Sequence, residues 1–233
     1  MKKYILNYYL WIFILYLCCM KFIPYLVLYP FYWMGVGIES TAFDGYLEVN
    51  KPIQYYITFF KLLAILSCII ALYKWSNLFI KRKLVIKWAD LGWAILLLFL
   101  KFILTALLIG LLFLLGKDPD FTVPKNQQKA EEFIQMTGLS VITIIILAPI
   151  IEEFFFRKII VGHLFFRHKY IGVIVSGLLF GGVHVIAGFT LQAFIAYTVM
   201  GLLFGFVYVK TGRLETSIIA HGVNNLIALL KLI

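Results

Sequence analysis

Long apolar stretches separated by short polar segments run through the whole chain. A helix needs about 20 mainly apolar residues to cross the hydrocarbon core of a bilayer. The pattern predicts an all-α fold, a polytopic transmembrane helical bundle of about seven spans. The predicted spans cover 5–34, 53–73, 91–115, 138–156 or slightly beyond, 171–187, 191–209 and 216–232.

Composition agrees with a membrane protein, because 63% of the 233 residues are hydrophobic and only 14% are charged. The mean hydropathy of +0.98 lies far above that of a soluble domain. The first stretch lacks a small-residue cleavage site after Lys2 and Lys3, so we expect a retained helix rather than a signal peptide. The three cysteines fall inside predicted spans and indicate no disulfide framework.

The net charge of +10 follows the predicted topology. Thirteen Lys and Arg occupy the N-terminus and the segments 74–90, 157–170 and 210–216, whereas the alternate loops and the C-terminus carry five. Basic residues concentrate on the cytoplasmic side of membrane proteins. This asymmetry predicts a cytoplasmic N-terminus and gives no reason to expect a nucleic-acid partner.

The polar residues within spans crowd into the C-terminal half. We therefore divide one integral membrane domain into N-terminal helices and loops at 1–137 and a helical core at 138–233. Lys125 to Met136 is predicted to form an amphipathic helix at the outer interface.

The segments 177–185 and 201–209 agree at seven of nine positions. We interpret their small-xxx-small glycines as a close helix packing surface rather than a duplication.

Two adjacent carboxylates end one apolar run. An ionised carboxylate costs roughly 2.5 to 3.5 kcal/mol at the centre of a membrane helix, so such a residue suggests a functional site. Glu153 precedes Arg157 by four residues, the favourable order for a helical ion pair. Glu152 points about 100° away from Glu153 around the helix. We therefore assign pairing to Glu153 and chemistry to Glu152.

The later spans add imidazole and amide groups. Phe180 and His184 share a helix face, as do His221 and Asn225. If the fourth and fifth spans form a hairpin turning near His168, Glu152 and His184 are level, roughly 24 Å along each helix from the turn. The same count of residues from a turn does not place His221 at the height of Glu152 and His184. Tilted helices or a cavity open to the cytoplasm would be needed to bring the three residues together.

A carboxylate, two imidazoles and an amide in one pocket suit hydrolysis of an acyl bond. The carboxylate of Glu152 can take a proton from water, while a histidine orients that water or protonates the leaving amine. An Asn amide with a second histidine can donate to the oxyanion. Glu152, His184 and His221 could instead hold a divalent metal such as zinc. The residues leave the cofactor undecided, with a slight preference for the metal-free site.

Structural interpretations compete with these roles. Glu153 and Arg157 can serve only to hold the helix, and each polar residue taken singly can bond to a neighbouring helix. Asn224 is a weaker candidate than Asn225, and Lys101 can pair with a buried acid or reach an interface or a cavity. His163 and His168 lie beside loop charges and receive no role.

Three motifs occur in order: Glu152-Glu153-x-x-x-Arg157, Phe180-x-x-x-His184 and His221-x-x-x-Asn225. Together, over roughly 138–232, they resemble the CPBP family of CAAX proteases and bacteriocin-processing enzymes, also called the Abi family. The resemblance implies an intramembrane endopeptidase in which Glu152 and His184 activate water while His221 and Asn225 stabilise the oxyanion. Family members are described both as metalloproteases and as glutamate proteases.

We therefore expect a multi-pass protease of a bacterial plasma membrane that cleaves a peptide or membrane-associated substrate near the cytoplasmic side. Bacterial relatives are linked to bacteriocin maturation, self-immunity and peptide signalling, and the eukaryotic branch to prenylated C-termini. One rival function is a non-catalytic bacteriocin immunity protein. Another is a small transporter with a proton relay, although transporters more often show inverted repeats.

Overall fold

The protein was analysed as a computed structural model that describes residues 11, 14–16, 18, 51–75, 85–117, 122–136, 139–186 and 188–230. Within these ranges every regular element is helical and no strand occurs. The all-α prediction is therefore confirmed for the described part of the chain. Most of the predicted span at 5–34 lies outside the described residues.

The helices follow the predicted apolar stretches closely. α3 forms where the amphipathic pattern placed a helix, and two π-helical stretches, Thr143–Leu147 and Phe154–Leu164, lie on either side of α5. The α-helices are α1 Lys51–Trp75, α2 Trp88–Leu114, α3 Lys125–Met136, α4 Leu139–Ile142, α5 Ala148–Glu153, α6 Lys169–Val185, α7 Leu191–Thr211 and α8 Leu214–Leu230.

Two of the described helices, α2 and α7, are long and apolar enough to cross a membrane by length and composition. Shorter apolar helices cover Tyr55–Ile70, Lys169–Val185 and Leu214–Leu230. In α2 only 11% of the most apolar window is buried, compared with 50% in α7. A helix that leaves so much apolar surface exposed is suited to contact with lipid.

The chain divides into two compact units, one of residues 1–83 with 130–151 and the other of 84–129 with 152–233. In the first unit, α1 buries a stripe at helical spacing that includes Ile57, Ile65 and Cys68. This unit also contains the π-helical stretch Thr143–Leu147, which packs against α1.

The second unit contains α2, α6, α7 and α8, and its largest described helix contact joins α6 to α7. A Cβ added to Gly201 would lie 2.8 Å from Gly177 Cα, and one added to Gly181 would lie 3.1 Å from the Phe194 carbonyl oxygen. Real Cβ atoms essentially never approach other atoms to 2.8 Å, and a contact of 3.1 Å is tighter than nine in ten of those that occur. The predicted role of the repeated glycines in close helix packing is confirmed.

Short polar signals fix the ends of these helices. Thr190 Oγ1 accepts a hydrogen bond from the Ala193 N–H over 3.2 Å and caps α7. Gly212 ends α7 with a φ of 65°, a left-handed conformation that glycine adopts without strain. Asp90 in the first turn of α2 accepts hydrogen bonds from Arg213 over 2.9 Å and from Thr216 over 2.6 Å. These bonds tie the start of α2 to the turn between α7 and α8.

Candidate active site

The two adjacent acids end α5, a short helix between two π-helical stretches. π-helical turns are rare and frequently occur at functional sites. Pro149 in α5 has no N–H to donate, so the regular α-helical hydrogen-bond ladder cannot pass through it unchanged. The missing hydrogen bond falls in the turn before Pro149, beside the π-helical stretch Thr143–Leu147.

Glu153 belongs to the second unit, is fully buried and contacts three side chains of the same unit. Its Oε2 lies 2.9 Å from Arg157 Nε, and both side chains have zero solvent exposure. Ser217 Oγ donates a hydrogen bond to the same oxygen. Oε1 lies 2.9 Å from His221 Nδ1. The Glu153–Arg157 pair expected from the spacing is present, and the acid also holds an imidazole.

Arg157 lies in an aromatic cage. Its guanidinium carbon is 5.6 Å from the Phe156 ring centroid, 5.1 Å from that of Phe180 and 5.7 Å from that of Phe204. Nη1 donates to Ser176 Oγ over 3.3 Å, whereas Nη2 is buried without a hydrogen-bond partner among the described residues. Ring faces attract cations, so the cage offsets part of the missing hydration.

His184 is held by two stacked aromatic rings and at one nitrogen. Nδ1 lies 2.8 Å from the Phe180 carbonyl oxygen, which can only accept, so Nδ1 carries the proton. The imidazole stacks on the rings of Phe180 and Tyr197, at centroid distances of 4.2 and 4.7 Å. Nε2 is left facing Glu152 Oε2 at 3.8 Å.

His221 approaches Glu152 from α8. Its Nε2 lies 3.9 Å from Glu152 Oε2, while Nδ1 faces the ionised carboxylate of Glu153. The ring stacks on Phe204 with a centroid distance of 5.0 Å. Three groups from α5, α6 and α8 thus converge on one point, and the two imidazoles are oriented by partners on their far sides.

The site has a closed inner layer and a more open outer layer. Glu153 and Arg157 are completely buried, whereas Glu152 keeps 18% of its side-chain surface exposed and His184 keeps 15%. His221 lies between the layers with 5% exposed. A small molecule such as water can therefore reach Glu152 and His184 without reaching the ion pair beneath them.

The same three groups were the predicted ligands of a possible metal. Two ligands placed tetrahedrally at about 2.0 to 2.1 Å from zinc lie about 3.4 Å apart. The separations of 3.8 and 3.9 Å from Glu152 Oε2 are wider than this. Among the described residues no group of three or more His, Cys, Asp or Glu side chains is arranged to hold a metal ion. The arrangement does not fit zinc without movement of its ligands.

Asn225 lies one turn after His221 on α8, and its side chain is half-buried. Its Oδ1 accepts a hydrogen bond from Asn224 Nδ2 over 3.2 Å. Asn224 in turn accepts one from Lys101 Nζ over 2.8 Å. Lys101, expected to meet a buried acid, an interface or a cavity, therefore donates a hydrogen bond to an amide of α8.

Counting residues from the turns predicted that Glu152 and His184 lie at the same height along their helices and that His221 lies at a different height. The structure brings all three together. The segment Phe154–Leu164 between Glu152 and the 165–168 turn is π-helical, with i to i+5 hydrogen bonds and more residues in each turn. The rise per residue of an α-helix, on which the expected levels depended, does not apply to this segment.

Several supporting residues were missed. Ser217 lies one turn before His221 and Ser176 one turn before Phe180, so helical spacing from the motifs could have found both. Tyr197 and Phe204, which stack on the two imidazoles, carry no such signal in a chain rich in aromatic residues. His163 and His168, which received no role, are exposed.

A helical chain with apolar helices of membrane length and a carboxylate facing two imidazoles has the features of an intramembrane protease. Residues 134–227 match the family model described as type II CAAX prenyl endopeptidase Rce1-like. The matched segment contains all three motifs and is consistent with the CPBP family of CAAX proteases, so that resemblance is confirmed. No curated protein and no solved structure matches the chain.

Proposed function

We propose that the protein is an intramembrane endopeptidase that hydrolyses a peptide bond in a peptide or membrane-associated substrate. The observation that carries this proposal is the approach of two imidazole Nε2 atoms to Glu152 Oε2, at 3.8 and 3.9 Å. Each imidazole has its other nitrogen held by a separate acceptor. A carboxylate with two fixed nitrogens beside it is suited to bind and deprotonate a water molecule.

In the first step, Glu152 takes a proton from water and the oxygen forms a bond to the substrate carbonyl carbon. His184 Nε2 carries no proton in the neutral ring, so it accepts the water's second hydrogen and orients the attack. The carbonyl π bond breaks and its electron pair becomes the oxyanion. Asn225 donates its amide N–H to this oxygen, and His221 joins it when Nε2 carries a proton.

In the second step, the tetrahedral intermediate collapses and the carbon–nitrogen bond breaks. The leaving amine takes the proton that Glu152 removed from water, either directly or through His184. Glu153 does not touch the substrate in this scheme. It orients His221 and neutralises Arg157, so it is a supporting residue for the site.

The protease family suggests two substrate classes. The matched model concerns prenyl endopeptidases, so a prenylated C-terminal peptide is one class. The other is a bacteriocin or signalling peptide processed at a bacterial plasma membrane, as expected for a small member of the family. We infer a multi-pass protein with a cytoplasmic N-terminus from the distribution of Lys and Arg.

Reconstituted protein should be tested with two internally quenched peptides of the same sequence. One ends in a farnesylated CAAX sequence and the other is unprenylated. We expect Glu152→Gln and His184→Ala to lower kcat by at least about 100-fold, because each removes a group that handles a proton. Glu215→Gln, a carboxylate change in the first turn of α8, serves as the matched control and should cleave like wild type.

A second arm tests the metal. Activity that survives dialysis against a chelator supports the water mechanism, whereas loss of activity restored by zinc would establish a metal site. If wild type cleaves neither peptide and all variants still protect cells against a bacteriocin, the non-catalytic immunity function is favoured. Proton-coupled uptake into proteoliposomes would instead favour a transporter.

A further inference from the structure

Asp90 is an acid in the first turn of α2 that is only 2% exposed. It precedes the segment 134–227 that matches the protease family. Its Oδ1 accepts a hydrogen bond from Thr216 Oγ1 over 2.6 Å. Its Oδ2 accepts one from Arg213 Nη2 over 2.9 Å and one from the Lys87 N–H over 2.8 Å. The bond with Thr216 joins a helix outside the matched segment to the first turn of α8.

The two oxygens of Asp90 have different partners. Oδ2 is held by the guanidinium of Arg213 and by the backbone just before α2, which leaves Oδ1 to Thr216. A threonine hydroxyl has a single hydrogen to donate. Thr216 has zero solvent exposure, so its hydroxyl needs an acceptor within the protein. The first turn of α8 is therefore held against the first turn of α2.

The next residue holds the same turn of α8 from another direction. Ser217 is also fully buried, and its hydroxyl donates to Glu153 Oε2. Successive residues point about 100° apart around a helix. The first turn of α8 is thus bonded to Asp90 in one direction and to Glu153 in another. A rotation of α8 about its axis would stretch both bonds, so together they fix that rotation.

His221 follows one turn later on α8 and depends on that rotation. Its Nε2 lies 3.9 Å from Glu152 Oε2, and its Nδ1 lies 2.9 Å from Glu153 Oε1. Beyond it, α2 contacts α8 again, where Lys101 Nζ donates to Asn224 Oδ1 over 2.8 Å. Polar contacts with α2 therefore lie on both sides of His221 along α8. A misplacement of about 1 Å caused by a change far from the chemistry can cost about 100-fold in rate.

We propose that Asp90 is a positioning residue of the protease, which holds α8 through Thr216 at the rotation that directs His221 Nε2 toward Glu152. Asp90 does not touch the substrate in this role. The inference rests on the function proposed above. It adds a residue from outside the matched segment to a site otherwise built from α5, α6 and α8.

The test replaces Thr216 with valine, which keeps the shape of the side chain and removes the hydroxyl that donates to Asp90. We expect kcat for the quenched peptides to fall at least about 10-fold, because His221 loses its alignment with Glu152, with KM nearly unchanged. Thr216→Ser keeps the donor and should retain most of the activity. Glu215→Gln changes the neighbouring position of the same turn and should leave kcat unaltered.

Asp90→Asn breaks the same contact from the other side. An amide has one accepting oxygen, so asparagine either loses Thr216 or turns its NH2 group toward the donors of Arg213 and Lys87. If Asp90 acts through Thr216, kcat of the double variant should lie within about twofold of that of the less active single variant. Losses that multiply would overturn the proposal. If Thr216→Val does not fold, Asp90→Asn should show the same fall in kcat.

The two proposals fail in different ways. Wild type that cleaves neither peptide removes the protease function, and the positioning role is lost with it. Active wild type with Thr216→Val as active as Glu215→Gln overturns the positioning role alone, even if the melting temperature falls, and leaves a purely structural contact. Loss of kcat in Thr216→Ser equal to that in Thr216→Val would also overturn it, because the hydroxyl would then not be the group that matters.

Discussion

At the scale of single residues, the buried carboxylate of Glu153 interacts with several partners at once. One carboxylate has four lone-pair sites, so it can accept from several donors at once. Oε2 receives Arg157 and Ser217, while Oε1 receives His221 Nδ1. The same acid therefore neutralises a buried cation and orients an imidazole of the site. Stability and activity are coupled at this residue.

We expect Glu153→Gln to destabilise the protein by about 3 to 5 kcal/mol, because removing one member of a buried ion pair leaves the charge of Arg157 uncompensated. Unfolding in detergent, followed by circular dichroism against denaturant, measures this. Glu215→Gln removes a carboxylate from the first turn of α8 and should change the free energy of unfolding by less than about 0.5 kcal/mol.

A second substitution distinguishes the two roles of Glu153. Adding Arg157→Met to Glu153→Gln removes the uncompensated charge, so much of the lost stability should return. Peptide cleavage should not return, because His221 Nδ1 would still lack its carboxylate. If the double variant recovered cleavage along with stability, orientation of His221 by Glu153 would not be needed for the reaction.

At the scale of elements, the contact between α6 and α7 positions His184. Gly177 and Gly201 meet with no room for a side chain between them. On the same surface, a Cβ added to Gly205 would lie 3.1 Å from Val173 Cγ1. α7 also carries Tyr197, which stacks on His184. A change in the distance between these helices therefore reaches the site.

Gly201→Ala should destabilise the protein by about 1 to 3 kcal/mol, the usual cost of overpacking a well-packed interior. Its new Cβ would meet Gly177 Cα at 2.8 Å, and backbone can move away only by separating the helices. Gly182→Ala is the matched control on α6, because nothing lies within 4 Å of its added Cβ. That variant should be neutral or slightly more stable, since alanine favours helices. Equal melting temperatures for the two variants would contradict close packing at Gly201.

The elements also show how far sequence reasoning reaches. Apolar length was sufficient for the helices, and spacing was sufficient to pair Glu153 with Arg157 and to place Glu152 beside His184. They were not sufficient for the π-helical stretches, because an almost wholly apolar segment has no polar face whose period would reveal the wider turn. The contacts of Lys101 and Tyr197 depend on which helices are neighbours, which one sequence does not specify.

At the scale of the whole molecule, the distribution of charge and the position of the site give an unexpected orientation. His184 lies one residue before the end of α6, and α6 begins at Lys169 beside a basic turn. Fifteen residues of α-helix separate Lys169 from His184 by about 22 Å. Arg157 was counted with the basic loops, but its side chain is buried in the helix. Without Arg157, the segments predicted to be cytoplasmic still carry more Lys and Arg than the alternate loops. If the basic turn is cytoplasmic, the site lies toward the outer end of α6, not near the cytoplasmic side as first expected.

Labelling of single cysteines measures this orientation. In a background without Cys18, Cys19 and Cys68, cysteine is introduced at Phe189 beyond the site or at Tyr170 beside the basic turn. The side chains at these positions are 67% and 64% exposed, so access to reagent depends on the side of the membrane. We expect a membrane-impermeant maleimide to label Phe189→Cys in intact cells and Tyr170→Cys only after permeabilisation. The reverse pattern would place the site near the cytoplasmic face, and the charge rule would then give the wrong orientation for this chain.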